Sequence, residues 1–175
     1  MRILVTGGVR SGKSTHAESL IGGAPATYVA TGTAPEREDD PDWTARVAAH
    51  RARRPASWGT AETQDLPRVL AEAEDPLLID CLGTWLTATI DAQDAWEQDA
   101  DAVHALVLAR TDEVVAALVA CRQDVVVVTN EVGLGVVPEH RSGRLFRDLL
   151  GTVNQRVAAA CDEVHLVVAG RVLRL

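Results

Sequence analysis

The chain has 175 residues, 47% of them apolar and 24% charged, which describes one globular domain over 1–175 with enough material for a sizeable core. Its formal net charge of −8 argues against a broad nucleic-acid surface or an anionic-membrane surface, so any phosphate must be met by local positive groups. The three cysteines, Cys81, Cys121 and Cys161, lie far apart and form no C-x-x-C pair, and no apolar run approaches the ~18 residues that span a bilayer. With no signal peptide ahead of the first strand signal, a soluble cytoplasmic protein without disulfides or structural zinc is expected.

Arg2-Ile3-Leu4-Val5-Thr6 reads as a short apolar strand, and Ser14 to Ile21 as a helix. Between them, Gly7-Gly8-Val9-Arg10-Ser11-Gly12-Lys13-Ser14 fits the phosphate-loop pattern G-x-x-x-x-G-K-[ST] at every fixed position. Lys13 is the only lysine among 17 basic residues. It stands where the motif needs a compact ammonium that arginine's planar fork does not replace. At such a strand-to-helix junction, backbone N–H groups and the helix dipole meet a nucleotide's phosphates. Lys13 then neutralises the outer phosphates, and the Ser14 hydroxyl ligates Mg²⁺. Arg10 either reaches a phosphate or faces solvent.

Ala26 to Thr31 reads as a second strand ending at Gly32, followed by an acidic, proline-bearing loop over Ala34 to Pro41. Asp42 to Arg54 turns helical, with Trp43, Val47 and His50 at i, i+4 and i+7, until Pro55 stops it. Arg46, Arg53 and Arg54 surround His50 at helical spacing. A cationic setting lowers an imidazole pKa, favouring the neutral nucleophilic form, and also attracts phosphates. A packed or solvated histidine is the competing reading. Trp43 and Trp58, on either side, are core residues or base-stacking platforms.

Trp58 to Ala61 is a short extended piece and Leu66 to Glu74 a helix. Leu77-Leu78-Ile79-Asp80 is a buried-type strand ending in a carboxylate, the place from which phosphate-loop proteins hold Mg²⁺. An ordinary helix cap is its alternative. Short and long helices follow over Gly83 to Ile90 and about Trp96 to Cys121. Val125-Val126-Val127-Val128-Thr129-Asn130 is the strongest strand signal, suited to the centre of a sheet covered on both faces. Glu131, just after it, either ligates metal or ties down the loop Val132 to Gly135. A helix over Arg141 to Cys161 and a hairpin with a Gly170-Arg171 turn complete the chain, and His16, His104, His140 and His165 read as structural or solvated.

Alternating strands and helices specify an α/β domain: a phosphate-loop, mainly parallel sheet with helices on both faces and a C-terminal β-hairpin. The ligand site belongs at the carboxyl ends of the strands. The phosphate loop, Thr31-Gly32-Thr33, Asp80 and Asn130-Glu131 all fall there.

These residues resemble the bifunctional adenosylcobinamide kinase / adenosylcobinamide-phosphate guanylyltransferase family of corrinoid assembly. The resemblance opens at Ile3 to Ser14 and continues through Tyr28-Val29-Ala30-Thr31-Gly32, Ala45-Arg46-Val47…His50, Arg54-Pro55…Trp58…Thr60…Glu62 and Leu78 to Leu82. It closes with Thr129 to Pro138 and Phe146-Arg147-Asp148…Gly151…Asn154-Gln155. It implies phosphorylation of adenosylcobinamide with ATP or GTP, then transfer of GMP from GTP onto that phosphate through a covalent GMP–histidine, here His50. It implies guanosine contacts from Thr31, Gly32, Thr33, Arg51, Ala52, Arg53, Arg54, Glu62 and Asp80, and a homo-oligomer, with a trimer as one form. The segment Asp40-Pro41-Asp42-Trp43 and the aspartate at 80, where relatives carry glutamate, depart from the family pattern. Two rivals are a phosphate-loop kinase of a non-corrinoid small molecule and a nucleotide-dependent switch. The switch normally reads guanine with N-K-x-D, which a chain whose only lysine is Lys13 cannot contain.

Overall fold

Val125–Val128 is apolar and fully buried at every position because it is covered above, below and on both edges. In the computed structural model, which describes residues 1–32, 48 and 54–175, this strand is β5, the middle of a seven-stranded sheet. The other strands are β1 (Arg2–Thr6), β2 (Ala26–Ala30), β3 (Trp58–Glu62), β4 (Leu77–Asp80), β6 (Glu163–Val168) and β7 (Arg171–Arg174). They lie in the order β3-β2-β4-β5-β1-β6-β7. All neighbours are parallel except the last pair, β6 and β7. The expected α/β sheet and terminal hairpin are both present.

The pleat sorts the strand residues onto two faces. Leu4, Val29, Leu77, Ile79, Val125 and Val127 join the larger core beneath α2 (Leu66–Ala71), α3 (Leu82–Asp91), α4 (Ala100–Ala120) and α5 (Arg141–Ala159). Ile3, Val5, Tyr28, Leu78, Val126 and Val128 face the other side, with Ala17 of α1 (Lys13–Ile21). Each fully buried Leu, Ile or Val contributes about 1.5–3 kcal/mol by leaving water, so both faces are strongly held.

Several boundaries differ from the sequence reading, each for a local reason. The long helix begins at Ala100 rather than near Trp96, because the Asp99 carboxylate caps it by accepting from the Asp101 and Ala102 N–H groups. The extended piece at Trp58 is a full edge strand, in register with β2 from Ala26↔Trp58 to Ala30↔Glu62. The hairpin turns at Ala169-Gly170, since Val168 already pairs with Arg171. The helix expected over Asp42 to Arg54 lies outside the described residues apart from Ala48 and Arg54.

Candidate active site

Every parallel strand delivers its carboxyl end to the same edge of the sheet. In spatial order that edge carries Glu62 (β3), Thr31 and Gly32 (after β2), Asp80 (β4), Asn130 and Glu131 (after β5), then the phosphate loop after β1. The structure therefore brings together the described members of the sequence-derived set. Thr33, His50, Arg51, Ala52 and Arg53 lie outside the described residues.

The loop runs from Gly7 to Gly12 and enters α1 at Lys13. Gly12 is the N-cap residue, in the left-handed region at φ 94°, and no side chain caps the helix. No acidic residue sits in the first turn either. The N-terminal N–H groups and the positive end of the dipole are thus left for an anion. Lys13 folds back so that its Nζ donates to the Gly8 carbonyl at 3.1 Å, and Ser11 N–H donates to the same oxygen at 3.3 Å. Arg10 stands at φ 55°, and the buried Ser11 Oγ has no hydrogen-bond partner.

Asp80 sits at the end of β4, in register with Ala30 on one side and Val128 on the other. With strands about 4.8 Å apart and β5 between, β4 lies roughly 10 Å from β1. Burial first, and the Asp80 carboxylate second, push the Tyr28 hydroxyl well above its ordinary pKa. The Arg54 guanidinium covers a face of that phenol ring, 3.3 Å from its centroid, and donates to Thr60 Oγ1 at 3.3 Å. Tyr28 was not among the sequence-derived site residues. Its alternation with Val29 on β2 was the available signal, since it puts Tyr28 on the face of Thr60 and Asp80.

Thr31 is wholly buried, and its hydroxyl is committed to the chain itself. It lies 2.7 Å from both the Cys81 carbonyl and Thr84 Oγ1, and accepts from Cys81 N–H at 3.0 Å. The side chain ties β2 to the start of α3, so what Thr31 offers a ligand is backbone. Glu131 Oε1 accepts from Gly133 N–H at 2.7 Å, which is the loop-tying arrangement rather than the metal-ligating one. Trp58 is 9% exposed and belongs to the α1-side core. Among the described residues no group of three or more His, Cys, Asp or Glu side chains could hold a metal ion by itself, and no helix could cross a membrane.

Residues 3–175 match the family model for cobinamide kinase / cobinamide phosphate guanyltransferase. This chain belongs to that family. The bifunctional adenosylcobalamin biosynthesis protein CobU of Salmonella typhimurium is 45% identical over 97% of each chain. Its Escherichia coli counterpart is 42% identical over the same shares, and the Pseudomonas aeruginosa protein CobP is 37% identical over 97% of this chain and 94% of its own. Among solved structures, an ATPase of a bacterial type III secretion system aligns with a TM-score of 0.57 at 12% identity. That alignment covers 94% of this chain and half of the ATPase, and it shows a shared fold.

Proposed function

We propose that the carboxyl-edge site carries both reactions of the family on adenosylcobinamide. In the first, the aminopropanol hydroxyl attacks the γ-phosphorus of ATP or GTP, forming a phosphate ester and releasing the nucleoside diphosphate. In the second, neutral His50 attacks the α-phosphorus of GTP, pyrophosphate leaves, and the substrate phosphate displaces the imidazole to give adenosylcobinamide-GDP. The observation that supports this most is the uncapped α1 N-terminus behind a complete phosphate loop, in a chain whose family match runs over residues 3–175.

The loop amides from Gly7 to Ser14 and the Lys13 ammonium bind the phosphates, which is where the charge of transfer develops. Arg51, Arg53 and Arg54 add positive charge, while Gly32, Thr33, Ala52, Glu62, Asp80 and the Thr31 backbone form the guanosine side. Ser14 and Asp80 supply hard oxygen donors suited to Mg²⁺, and the span between β1 and β4 leaves room for the waters that this ion retains. When bound, Mg²⁺ neutralises phosphate charge. The protein works in the cytoplasm as a homo-oligomer, with a trimer as one form.

Incubation with Mg²⁺, GTP and adenosylcobinamide, followed by mass analysis, separates this reading from its rival. Adenosylcobinamide phosphate should appear first and adenosylcobinamide-GDP second. Absence of both products would favour the kinase of a non-corrinoid small molecule, and accumulation of the phosphate alone would remove the guanylyl transfer.

A further inference from the structure

The hairpin of β6 and β7 touches the phosphate loop in three places. A methyl group on Gly7 would come within 2.5 Å of the Val167 carbonyl, so the loop begins pressed against β6. A methyl group on Gly12 would lie 3.4 Å from Gly170 Cα. Between these contacts, Gly170 N–H donates to the Ser11 carbonyl at 2.8 Å. The pairing Thr6↔Leu166 sets β6 beside β1, and Val168↔Arg171 leaves Ala169-Gly170 as a two-residue turn. Both turn residues are left-handed, at φ 50° and 75°, the conformation of a type I′ hairpin turn.

The Ser11–Gly12 peptide is planar and trans, so its C=O and N–H point in opposite directions. Gly170 holds the carbonyl toward the hairpin. The Gly12 N–H is therefore turned away from the hairpin, and it has no partner among the described residues. Without the Gly170 bond this peptide could rotate and present its carbonyl dipole, rather than its N–H, to a bound anion. Glycine at 12 makes such rotation cheap, which is why an external anchor matters.

We propose that Gly170 is a positioning residue of the phosphate site: its N–H fixes the Ser11–Gly12 peptide so that Gly12 N–H donates to a nucleotide phosphate. The proposal rests on the phosphate-loop reading of residues 7–14. It makes the C-terminal hairpin part of the binding apparatus, although neither turn residue belongs to the motif.

Cys161 allows a direct test, because a synthetic peptide of residues 161–175 can be ligated to residues 1–160 at that cysteine. One peptide carries glycolic acid in place of Gly170, which exchanges the amide N–H for an ester oxygen and leaves the rest of the chain unaltered. The all-amide ligation product is the reference. The ester chain should bind tripolyphosphate about tenfold more weakly, and its KM for ATP should rise similarly, while guanosine affinity stays within twofold. Equal tripolyphosphate affinity in the two chains would overturn the proposal, as would equal loss of tripolyphosphate and guanosine binding. A reference chain that does not bind tripolyphosphate removes the phosphate-loop reading, and this proposal with it. If the ester chain does not fold, hydrogen exchange on the intact protein decides. Tripolyphosphate should slow exchange of the Gly170 amide at least tenfold, and unchanged exchange would overturn the proposal.

Discussion

The Arg54 guanidinium lies 3.3 Å above the centre of the Tyr28 ring, while burial and Asp80 act together on the Tyr28 hydroxyl. One buried phenol thus joins a cation from the segment before β3 to a carboxylate at the end of β4. Replacing the ring should cost more than removing its hydroxyl. Tyr28→Phe should lose about 1 kcal/mol of stability, the worth of one hydrogen-bonding group. Tyr28→Leu should lose about 2–4 kcal/mol through the missing aromatic volume and cation–π contact. Urea unfolding measures both. Equal losses would mean that the stack contributes nothing.

Lys13 rests on the Gly8 carbonyl and belongs to neither buried core cluster, so its removal should spare the fold. Lys13→Ala should lower kinase turnover by at least about a hundredfold with the melting temperature nearly unchanged. Lys13→Arg should also be strongly impaired, since the fork differs in shape and reach. Steady-state kinetics beside thermal melts would show the separation, and near-normal turnover in Lys13→Ala would dismiss the phosphate-loop assignment.

Asp80 and Glu131 are both carboxylates at strand ends, yet Glu131 is already occupied by the Gly133 N–H. Asp80→Asn should shift the Mg²⁺ dependence of turnover to higher concentration with little change in melting temperature. Glu131→Gln should weaken the 131–137 loop by about 1–2 kcal/mol and leave the Mg²⁺ midpoint in place. Magnesium titrations of both variants check this, and a shift confined to Glu131→Gln would exchange their roles.

Much of this arrangement could be read from the sequence, because it depends on local patterns. The strands from Arg2 and Leu77 and the all-valine run from Val125 declare themselves by apolarity, and the phosphate loop by its fixed glycines and Lys13. What could not be read depends on register between distant segments. Thr31 looked like a ligand-facing strand end, but the pairing of β2 with β4 turns its hydroxyl onto Cys81 and Thr84. Gly170 carried an ordinary turn signal, and only the pairing of β6 with β1 brings it to Ser11. His16 and His165 gave no sign of each other across 149 positions, yet their ring nitrogens lie 2.9 Å apart.

That histidine pair predicts a pH response. His165 Nε2 is 2.8 Å from Glu163 Oε2. With a carboxylate oxygen accepting there, His165 donates from Nε2 to Glu163 and turns its Nδ1 to His16 Nε2. Burial first, then the charges of His165 and Arg174, lower the His16 pKa from 6.5, and the hydrogen bond from His165 lowers that of Glu163 from 4.5. For both groups the unfolded chain binds the proton more readily. Stability present above pH 6.5 should therefore fall as acid carries the solution through and below that value, with a second loss below 4.5. Melting temperatures between about pH 8 and pH 5.5 should decline in the parent and less steeply in His16→Gln. Identical slopes would remove His16 from the response.

In the proposed guanylyl transfer, His50 carries a covalent nucleotide. Incubating the protein with Mg²⁺ and α-labelled GTP, without corrinoid, should leave labelled GMP on His50 as a phosphoramidate, labile in acid and stable in base. The His50→Ala protein should take up no label and should still phosphorylate adenosylcobinamide, since Lys13 and its loop do not need the imidazole. Absence of covalent label in the parent, or label on any other residue, would contradict the assignment.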